Sequence, residues 1–197
     1  MNQKETVICP WVNSKDDVYV AYHNEEWGRP IYDSKLLFEK LCLDGQQAGL
    51  SWITILKKRQ GYLDAFCQFE PEAITKLSEG YRQELMSNSN IVRNKLKINS
   101  IYKNAMGYMS MKEEGINFSE FLWSFVGGSP IQNNYKTSDE VPTENEMSIA
   151  MSKALKKRGF NFVGPTICYA FMEAVGMFNN HLTTCHYHQA CVDEPMK

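Results

Sequence analysis

An acid, two adjacent amides and an indole fall within nine residues of the sequence, between Asp44 and Trp52. Side chains of these types can hydrogen-bond to a nucleic-acid base and stack on it. Apolar residues precede Asp44 and follow Ser51, so the polar segment lies between two predicted helices. Buried polar groups are costly unless each has a partner, and a ligand is one such partner. The alternative is a helix–helix corner with Asp44 as a cap and Trp52 in the core.

Two cysteines and two histidines form a second set of candidate residues. Cys9 and His23 lie near the start of the chain, whereas His181 and Cys185 lie near its end at a His-x3-Cys spacing that lets both reach one ion. Two Cys and two His would complete a tetrahedral zinc site and leave no coordination position open. The alternative is that the cysteines are small buried hydrophobic residues, and the residue types alone leave both possibilities open.

A short turn between two predicted helices is the third candidate site. Gly159 and Gly164 bracket this turn, and Lys156 and Lys157 precede it. Glycine at a helix terminus lets backbone amides approach a phosphate, and the lysines add positive charge. The alternative is an ordinary helix–helix turn beside a solvated basic face.

The elements that must position these residues are predicted to be helices. Asp33 or Ser34 can cap a helix that carries Asp44. Apolar spacing, with proline or glycine at the boundaries, predicts further helices over residues 71–77, 91–115, 119–126, 145–158 and 165–178. Residues 9–27 are rich in aromatic side chains without clear periodicity, and residues 127–146 are predicted to be loop. No segment alternates like a strand, so the predicted fold class is all-α.

The composition favours one globular domain. A chain of 197 residues with 43% hydrophobic residues is long enough for one well-buried core and short for two. The net charge of −2 gives no overall attraction to nucleic acid, so a DNA-binding surface would be a local patch. No apolar run reaches the roughly 18 residues of a transmembrane helix, and the N-terminus lacks a secretory signal. Six cysteines clustered with histidines indicate metal binding in a reducing compartment, and we expect a cytoplasmic monomer.

Six sequence blocks occur together in a specific order. They are Cys9-Pro-Trp11, Ala21-Tyr-His23-Asn-Glu-Glu-Trp27-Gly28, Gly45-Gln-Gln-Ala-Gly-Leu-Ser-Trp52, Phe121-Leu-Trp-Ser-Phe125, Lys153-Ala-Leu-Lys-Lys-Arg-Gly-Phe160 and Phe162-Val-Gly164. In this combination the chain resembles 3-methyladenine DNA glycosylase I, a family of alkylation-repair glycosylases, from Cys9 to Cys185. One departure is Asp44, because the family usually has Glu there.

The resemblance implies one DNA glycosylase domain over residues 1–197, of the helix-hairpin-helix type. Separately, we expect a disordered or loosely held tail from about residue 186. It also implies one structural Zn²⁺ per chain that joins the N- and C-terminal segments, with the ligands Cys9, His23, His181 and Cys185. The neighbouring His186, His188 and Cys191 are expected to be solvated instead of coordinating the metal.

The resemblance also implies a pocket for an extruded base. Asp44 takes the catalytic position, Tyr22 and Trp52 match pocket positions, and Trp11 and Tyr19 are weaker assignments from the same N-terminal segment. Methylation at N3 gives adenine in DNA a positive charge, which an electron-rich aromatic face attracts, while a carboxylate can accept from the exocyclic amine. Each aromatic residue taken singly is more often part of a core.

The expected DNA contacts fall into two groups. The turn with Gly159, Gly164, Lys156 and Lys157 would bind the DNA backbone without reading its sequence. Side chains near the pocket would fill the gap left in the base stack, with the candidates Gln46, Gln47 and Leu50. For these three the alternative is a core leucine and two exposed amides. The helix-hairpin-helix superfamily usually has an Asp after the hairpin, but Glu173 is the only acid there, so no catalytic carboxylate is assigned to that helix.

The expected function is hydrolysis of the N-glycosidic bond of 3-methyladenine in double-stranded alkylated DNA. Base flipping would precede the reaction, and the products would be the free base and an abasic site. No lysine can be singled out as a Schiff-base nucleophile, so we expect a monofunctional base-excision enzyme without lyase activity. The alternative is a non-catalytic, zinc-stapled module that binds damaged or methylated bases. A zinc hydrolase is disfavoured because four protein ligands leave the metal no water.

Overall fold

The computed structural model describes residues 7–194, and most of them are helical. The helices are α1 (Asp17–Glu25), α2 (Ser34–Gln47), α3 (Trp52–Leu56), α4 (Arg59–Ala65), α5 (Pro71–Thr75), α6 (Glu79–Glu84), α7 (Lys95–Glu113), α8 (Phe118–Trp123), α9 (Glu146–Lys157), α10 (Pro165–Ala174) and α11 (His186–Val192). Short 3₁₀ turns occur at Cys67–Phe69, Leu85–Ser87, Ser124–Val126 and Ser138–Glu140. The prediction of a mostly helical fold is confirmed.

One short parallel strand pair interrupts this helical architecture. Strand β1 (Ile131–Gln132) pairs with β2 (Phe178–Asn179), with Ile131 opposite Phe178. The sequence predicted loop at the first strand and helix up to the second, so both assignments were wrong at these positions. Two residues per strand are too few to produce an alternating pattern that the sequence could show.

Helix α2 lies at the centre of the fold and carries Asp44. Of the two predicted caps, Asp33 is the one used, because its carboxylate accepts from the amides of Lys35 and Leu36 at 3.0 and 2.9 Å. The helix packs against α3, α7, α8 and α10. Its fully buried apolar side chains include Leu37, Phe38, Leu41 and Leu43. Burial of each contributes about 1.5–3 kcal/mol, so the position of Asp44 is fixed by the core.

Two helix starts differ from the prediction. The aromatic N-terminal segment contains helix α1, which is capped by the Asp16 carboxylate accepting from the Tyr19 amide at 3.3 Å. Its buried residues, Tyr22 and His23, are neighbours in the sequence, so the helix has no single apolar face that periodicity could reveal. Helix α8 is capped by Asn117 and not by Ser119, which lies inside the helix.

Helix α10 ends at Ala174, about four residues earlier than predicted. Gly176 follows with a φ of +72°, a left-handed conformation that glycine adopts readily. The backbone is also crowded there, because a Cβ on Gly176 would lie 2.4 Å from the carbonyl carbon of Arg29. The chain therefore turns at Gly176 and enters β2.

The segment expected to be a loosely held tail is helix α11 as far as Val192. The His188 Nε2 donates to the carbonyl of Asn133 at 2.8 Å, and Cys191 is buried. The Tyr187 ring packs 5.5 Å from the His23 ring, measured between centroids. The tail prediction is therefore wrong for residues 186–192, because Cys191 is buried and His188 is partly buried and hydrogen-bonded. In the part of the chain that the structure describes, no helix has the length and apolar character to cross a membrane.

Candidate active site

A cavity of about 410 Å³ opens between α1, the α2–α3 segment and α10. This volume is in the range of small-molecule binding sites. The cavity brings together all five predicted pocket residues, which are Trp11, Tyr19, Tyr22, Asp44 and Trp52. Residues that are far apart in the sequence therefore line one cavity.

Tyr22 and Trp52 form the aromatic part of the cavity wall. Their ring centroids are 5.4 Å apart, with an angle of 46° between the ring planes. Trp52 begins α3, and α3 packs against α1, which carries Tyr22. The Trp52 Nε1 is buried without a hydrogen-bond partner in residues 7–194. A buried donor left free is costly, so a ligand that accepts from it would be stabilised.

Asp44 is paired with a buried lysine that sequence reasoning missed. The Lys40 Nζ donates to Asp44 Oδ1 at 2.7 Å, and only 9% of the Lys40 side chain and 3% of the Asp44 side chain are exposed. Burial raises the pKa of Asp44, and Lys40 opposes part of that rise. Burial likewise lowers the pKa of Lys40 against the attraction of Asp44. The spacing of four residues on one helix was a detectable indication of this pair.

The second oxygen of Asp44 remains available. Asp44 Oδ2 is buried and has no hydrogen-bond partner among the residues that the structure describes. Most buried polar atoms in proteins are paired, so unpaired ones at a cavity are candidates for contact with a ligand. Asp44 Oδ2 can accept a hydrogen bond, and Trp52 Nε1 can donate one.

Glu173 on α10 is a second acid in the cavity wall. Its Oε1 accepts from the Asn180 Nδ2 at 2.8 Å, and the same Nδ2 lies 2.9 Å from the Tyr169 hydroxyl. The pKa of Glu173 is raised to about 7, chiefly by burial; the hydrogen bond from Asn180 opposes this rise and the nearby Asp44 adds to it. The sequence singled out Glu173 only as the sole acid of its helix, since nothing local indicated that it faces Asp44's cavity.

The four predicted metal ligands meet in one buried cluster. The ligand atoms of Cys9, His23, His181 and Cys185 all lie within 4.8 Å of one another. The Cys185 Sγ lies 3.5 Å from His181 Nδ1 and 3.6 Å from His23 Nε2, and the Cys9 Sγ lies 3.7 Å from His181 Nδ1. Sulfur and nitrogen ligands of a tetrahedral zinc are separated by about 3.6 Å, so this donor set fits the ion.

The other ring nitrogen of each histidine faces an oxygen. The His23 Nδ1 lies 2.7 Å from the Asn24 side-chain oxygen, and the His181 Nε2 lies 3.1 Å from the Trp27 carbonyl. Donation to these oxygens leaves His23 Nε2 and His181 Nδ1 free to coordinate, which is the usual support for metal-bound histidine. Trp11 packs between this cluster and the cavity, with its ring 5.3 Å from that of His23 and 5.2 Å from that of Tyr19.

The turn between α9 and α10 lies directly against α2. A Cβ on Gly45 would approach the carbonyl oxygen of Phe162 to 3.0 Å, so any larger residue would push the turn away by a few tenths of an ångström. Gly159 ends α9 with a φ of +84°. Gly164 precedes α10 and offers no capping side chain, which leaves the first amides of that helix without a side-chain acceptor. Lys156 and Lys157 are exposed beside the turn.

One of the three candidate wedge residues points inward. Gln46 is fully buried, donates to the Lys97 carbonyl at 3.1 Å and accepts from the Tyr62 hydroxyl at 3.3 Å. Its assignment as a wedge is wrong, because its amide is engaged inside the protein. Gln47 lines the cavity, and Leu50 is 39% exposed at the same turn. These two stay candidates.

Lys97 holds the turn after α2, which carries the remaining wedge candidates Gln47 and Leu50. Its buried Nζ donates to the carbonyls of Gln46 and Ala48, at 2.7 Å each. This contact joins the end of α2 to α7 and determines where Gln47 and Leu50 lie relative to the cavity. The sequence could not indicate it, because Lys97 is about 50 residues away along the chain.

Comparison with known proteins places this site in a family. A family model described as methyladenine glycosylase matches residues 11–188. The chain is 51% identical to the DNA-3-methyladenine glycosylase of Haemophilus influenzae over 180 residues, covering 91% of this chain and 97% of the relative. It is 50% identical to DNA-3-methyladenine glycosylase 1 of Escherichia coli K12 over 177 residues, covering 90% and 94% of the two chains.

Solved structures agree with the sequence relatives. A crystal structure of 3-methyladenine DNA glycosylase I superposes with a TM-score of 0.90 at 48% identity and covers 91% of this chain and 98% of that chain. A Tyr-to-Phe variant of 3-methyladenine DNA glycosylase I in complex with 3-methyladenine superposes with a TM-score of 0.85 at 41% identity, covering 88% and 93%. The chain thus belongs to the methyladenine glycosylase family.

Proposed function

We propose that this chain is a DNA-3-methyladenine glycosylase that hydrolyses the N-glycosidic bond of 3-methyladenine in alkylated double-stranded DNA. The observation that carries the proposal is the cavity, in which two aromatic rings and two carboxyl groups converge in a member of the methyladenine glycosylase family. Relatives that match over more than 90% of their length carry this activity in their names, and one related structure holds 3-methyladenine. The products are the free base and an abasic site.

The base must leave the DNA duplex to reach the cavity, because a stacked base cannot enter it. Tyr22 and Trp52 supply faces on which the flipped base packs, and Trp52 Nε1 and Asp44 Oδ2 supply a donor and an acceptor. Asp44 accepts from the exocyclic amine of the base, in the position where the family usually has Glu. Gln47 or Leu50 occupies the gap left in the duplex.

Catalysis needs little covalent help from the protein. A base methylated at N3 is cationic while attached to the sugar and departs as a neutral molecule, so the bond is already weak. Holding the base in a fixed orientation and stabilising charge at the sugar are sufficient to accelerate its loss. Asp44 is the residue that we assign to holding the base, with its carboxylate held in place by Lys40.

The activity is that of a monofunctional hydrolase without strand cleavage. A lyase of this kind needs an amine that can attack the sugar. Within residues 7–194, no lysine lines the cavity, and Lys40, which lies behind its wall, donates to Asp44. This arrangement supports hydrolysis by water.

A structural zinc and a phosphate-binding turn complete the proposal. The cluster of Cys9, His23, His181 and Cys185 holds one Zn²⁺, which ties α1 to the segment before α11 and steadies the Trp11 side of the cavity. The turn between α9 and α10 acts as the hairpin of a helix-hairpin-helix, and its free amides and exposed lysines contact DNA phosphates. That the protein is a monomer and is located in the cytoplasm stays a prediction.

The alternative is a protein that binds alkylated bases without releasing them, because Asp44 is shorter than the family's Glu. The two functions are separated by incubating the protein with methylated duplex DNA and identifying the released bases by chromatography. DNA without protein corrects for spontaneous loss. We expect 3-methyladenine in excess over this background, in amounts equal to the abasic sites formed and with unbroken strands. Tight binding to methylated DNA with only background release would support the alternative.

A further inference from the structure

Asp44 lines the cavity but does not give it a net negative charge. Asp44 is bound to Lys40 at 2.7 Å, and both side chains are buried. The pair carries zero net charge whether the proton stays on Lys40 or moves to Asp44. A cationic base entering the cavity therefore meets a hydrogen-bonding site at Asp44, but one whose negative charge is already balanced.

Glu173 is the other acid in the cavity wall. Among the Asp, Glu, Lys and Arg residues of the described part of the chain, Asp44 and Glu173 are the two that line the cavity. No Lys or Arg in residues 7–194 forms a salt bridge with Glu173, and its identified partner is the neutral amide of Asn180 at 2.8 Å. Its side chain is only partly buried and lines the cavity, so its carboxylate is accessible from that space.

We infer that Glu173 is a specificity-determining residue whose uncompensated negative charge selects cationic alkylated bases, while the neutral Lys40–Asp44 pair orients the base by hydrogen bonding. This inference rests on the proposed function. It assigns recognition of shape and recognition of charge to two different helices, α2 and α10. It also explains how the cavity can accept a cationic base although the ammonium group of Lys40 is buried next to its wall.

The other titratable groups around Glu173 support this division. Those that interact with it electrostatically are Asp44, Tyr22 and Tyr169. Burial raises the pKa of both tyrosines, so they stay neutral, and Asp44 is balanced by Lys40. Because the pKa of Glu173 is raised to about 7, it is the group whose charge changes near neutral pH. Its carboxylate becomes available as the pH rises through that value.

The test compares two forms of the same methylated ring. The permanently cationic 3,9-dimethyladeninium ion stands for the base attached to its sugar, and 3-methyladenine at pH 8 stands for the neutral product. Binding of each is measured by calorimetry for the wild type, Glu173→Gln and the control Glu113→Gln, an exposed glutamate on α7. We expect Glu173→Gln to weaken binding of the cation by at least about tenfold and to leave the neutral base within about twofold.

Two outcomes would overturn the inference. One is a change in Glu173→Gln that is equal for the two probes or absent, and the other is a wild type that shows no preference for the cation. If Glu173→Gln does not fold, the pH dependence of the wild type decides, because cation binding must strengthen between about pH 6 and 8. The proposed function fails independently, through the absence of 3-methyladenine release from DNA. Loss of selectivity with release intact would overturn only the role of Glu173.

Discussion

The ammonium group of Lys40 lies 3.5 Å from the centre of the Trp52 indole ring. A cation in this position is attracted by the electron-rich face of the ring. One face of Trp52 is therefore already occupied, so that a base can pack only on the opposite face or at the edge. The same ammonium lies 5.4 Å from the centre of the Tyr22 ring. Lys40 therefore contacts both aromatic rings of the cavity wall as well as Asp44, and acts as their structural support.

Replacement of Lys40 tests this support. Lys40→Met leaves the buried carboxylate of Asp44 without its partner, and breaking a buried pair in this way costs about 3–5 kcal/mol. Without Lys40, burial raises the folded-state pKa of Asp44 further above its unfolded value. Ionisation of Asp44 in the unfolded state then opposes folding more strongly as the pH rises, so the cost is smaller at pH 5 than at pH 8.

Urea unfolding at pH 5 and pH 8 measures this effect. The control is Lys76→Met, which breaks an exposed pair with Glu72 at the same four-residue spacing and should change stability by less than about 0.5 kcal/mol. Equal stability losses in the two variants would show that Lys40 is not a structural support.

The pKa of Glu173 gives a second stability prediction. Its folded-state pKa of about 7 lies above the ordinary value of 4.5, so the folded state binds the proton more tightly. This contribution favours folding below pH 4.5 and is lost as the pH rises through about 7. Glu173→Gln removes the titration and should stabilise the protein by up to about 3 kcal/mol at pH 8, with little change at pH 4.5. Melting temperatures at the two pH values measure this difference, and a variant less stable at pH 8 would contradict it.

Metal content and stability should fall together when a proposed ligand is removed. Cys185→Ala leaves three ligands, so we expect loss of zinc and a lower melting temperature, because binding energy of a structural metal is folding energy. Cys67→Ala, a cysteine outside the cluster, is the control and should keep one zinc per chain. Zinc content is measured by atomic absorption and stability by thermal unfolding. A Cys185→Ala variant that kept full zinc and full stability would refute the site.

DNA affinity should depend on the basic turn in a salt-sensitive way. Replacing Lys156 and Lys157 together by alanine should weaken binding to undamaged duplex DNA and reduce the slope of log affinity against log salt by up to about two. Binding of free 3-methyladenine should not change, because neither lysine lines the cavity. Replacement of Lys76, an exposed lysine on another surface, is the control. Unchanged DNA affinity at low salt in the folded double variant would exclude the turn from the DNA interface.

The sequence predicted the features that depend on residues close together in the chain, such as helices and their caps. Helix α2 and its Asp33 cap follow from apolar spacing and a capping side chain, and the pocket residues follow from the family blocks. The burial of Gln46 could not be predicted, because its partners Tyr62 and Lys97 come from elsewhere in the chain. The position of Glu173 in the cavity is likewise a tertiary relationship.

The departure at Asp44 decides whether this protein is an enzyme or a binder. Asp is one methylene shorter than Glu, which withdraws the carboxylate by about 1.5 Å. Helix packing that brings Asp44 closer to the base, or a bridging water, can restore the contact. We therefore expect the wild type to be active with Asp44 in place.

The most direct measurement is single-turnover release of 3-methyladenine from methylated duplex DNA by the wild type, Asp44→Asn and Asp44→Glu. We predict rapid release by the wild type, slower but detectable release by Asp44→Asn, because the cationic nucleotide is labile, and a rate for Asp44→Glu at or above that of the wild type if the cavity accommodates the longer chain. Thermal unfolding of each variant confirms that the fold is intact. A wild type that releases no base above background, with release restored by Asp44→Glu, would contradict the account and show that this chain binds alkylated bases without excising them.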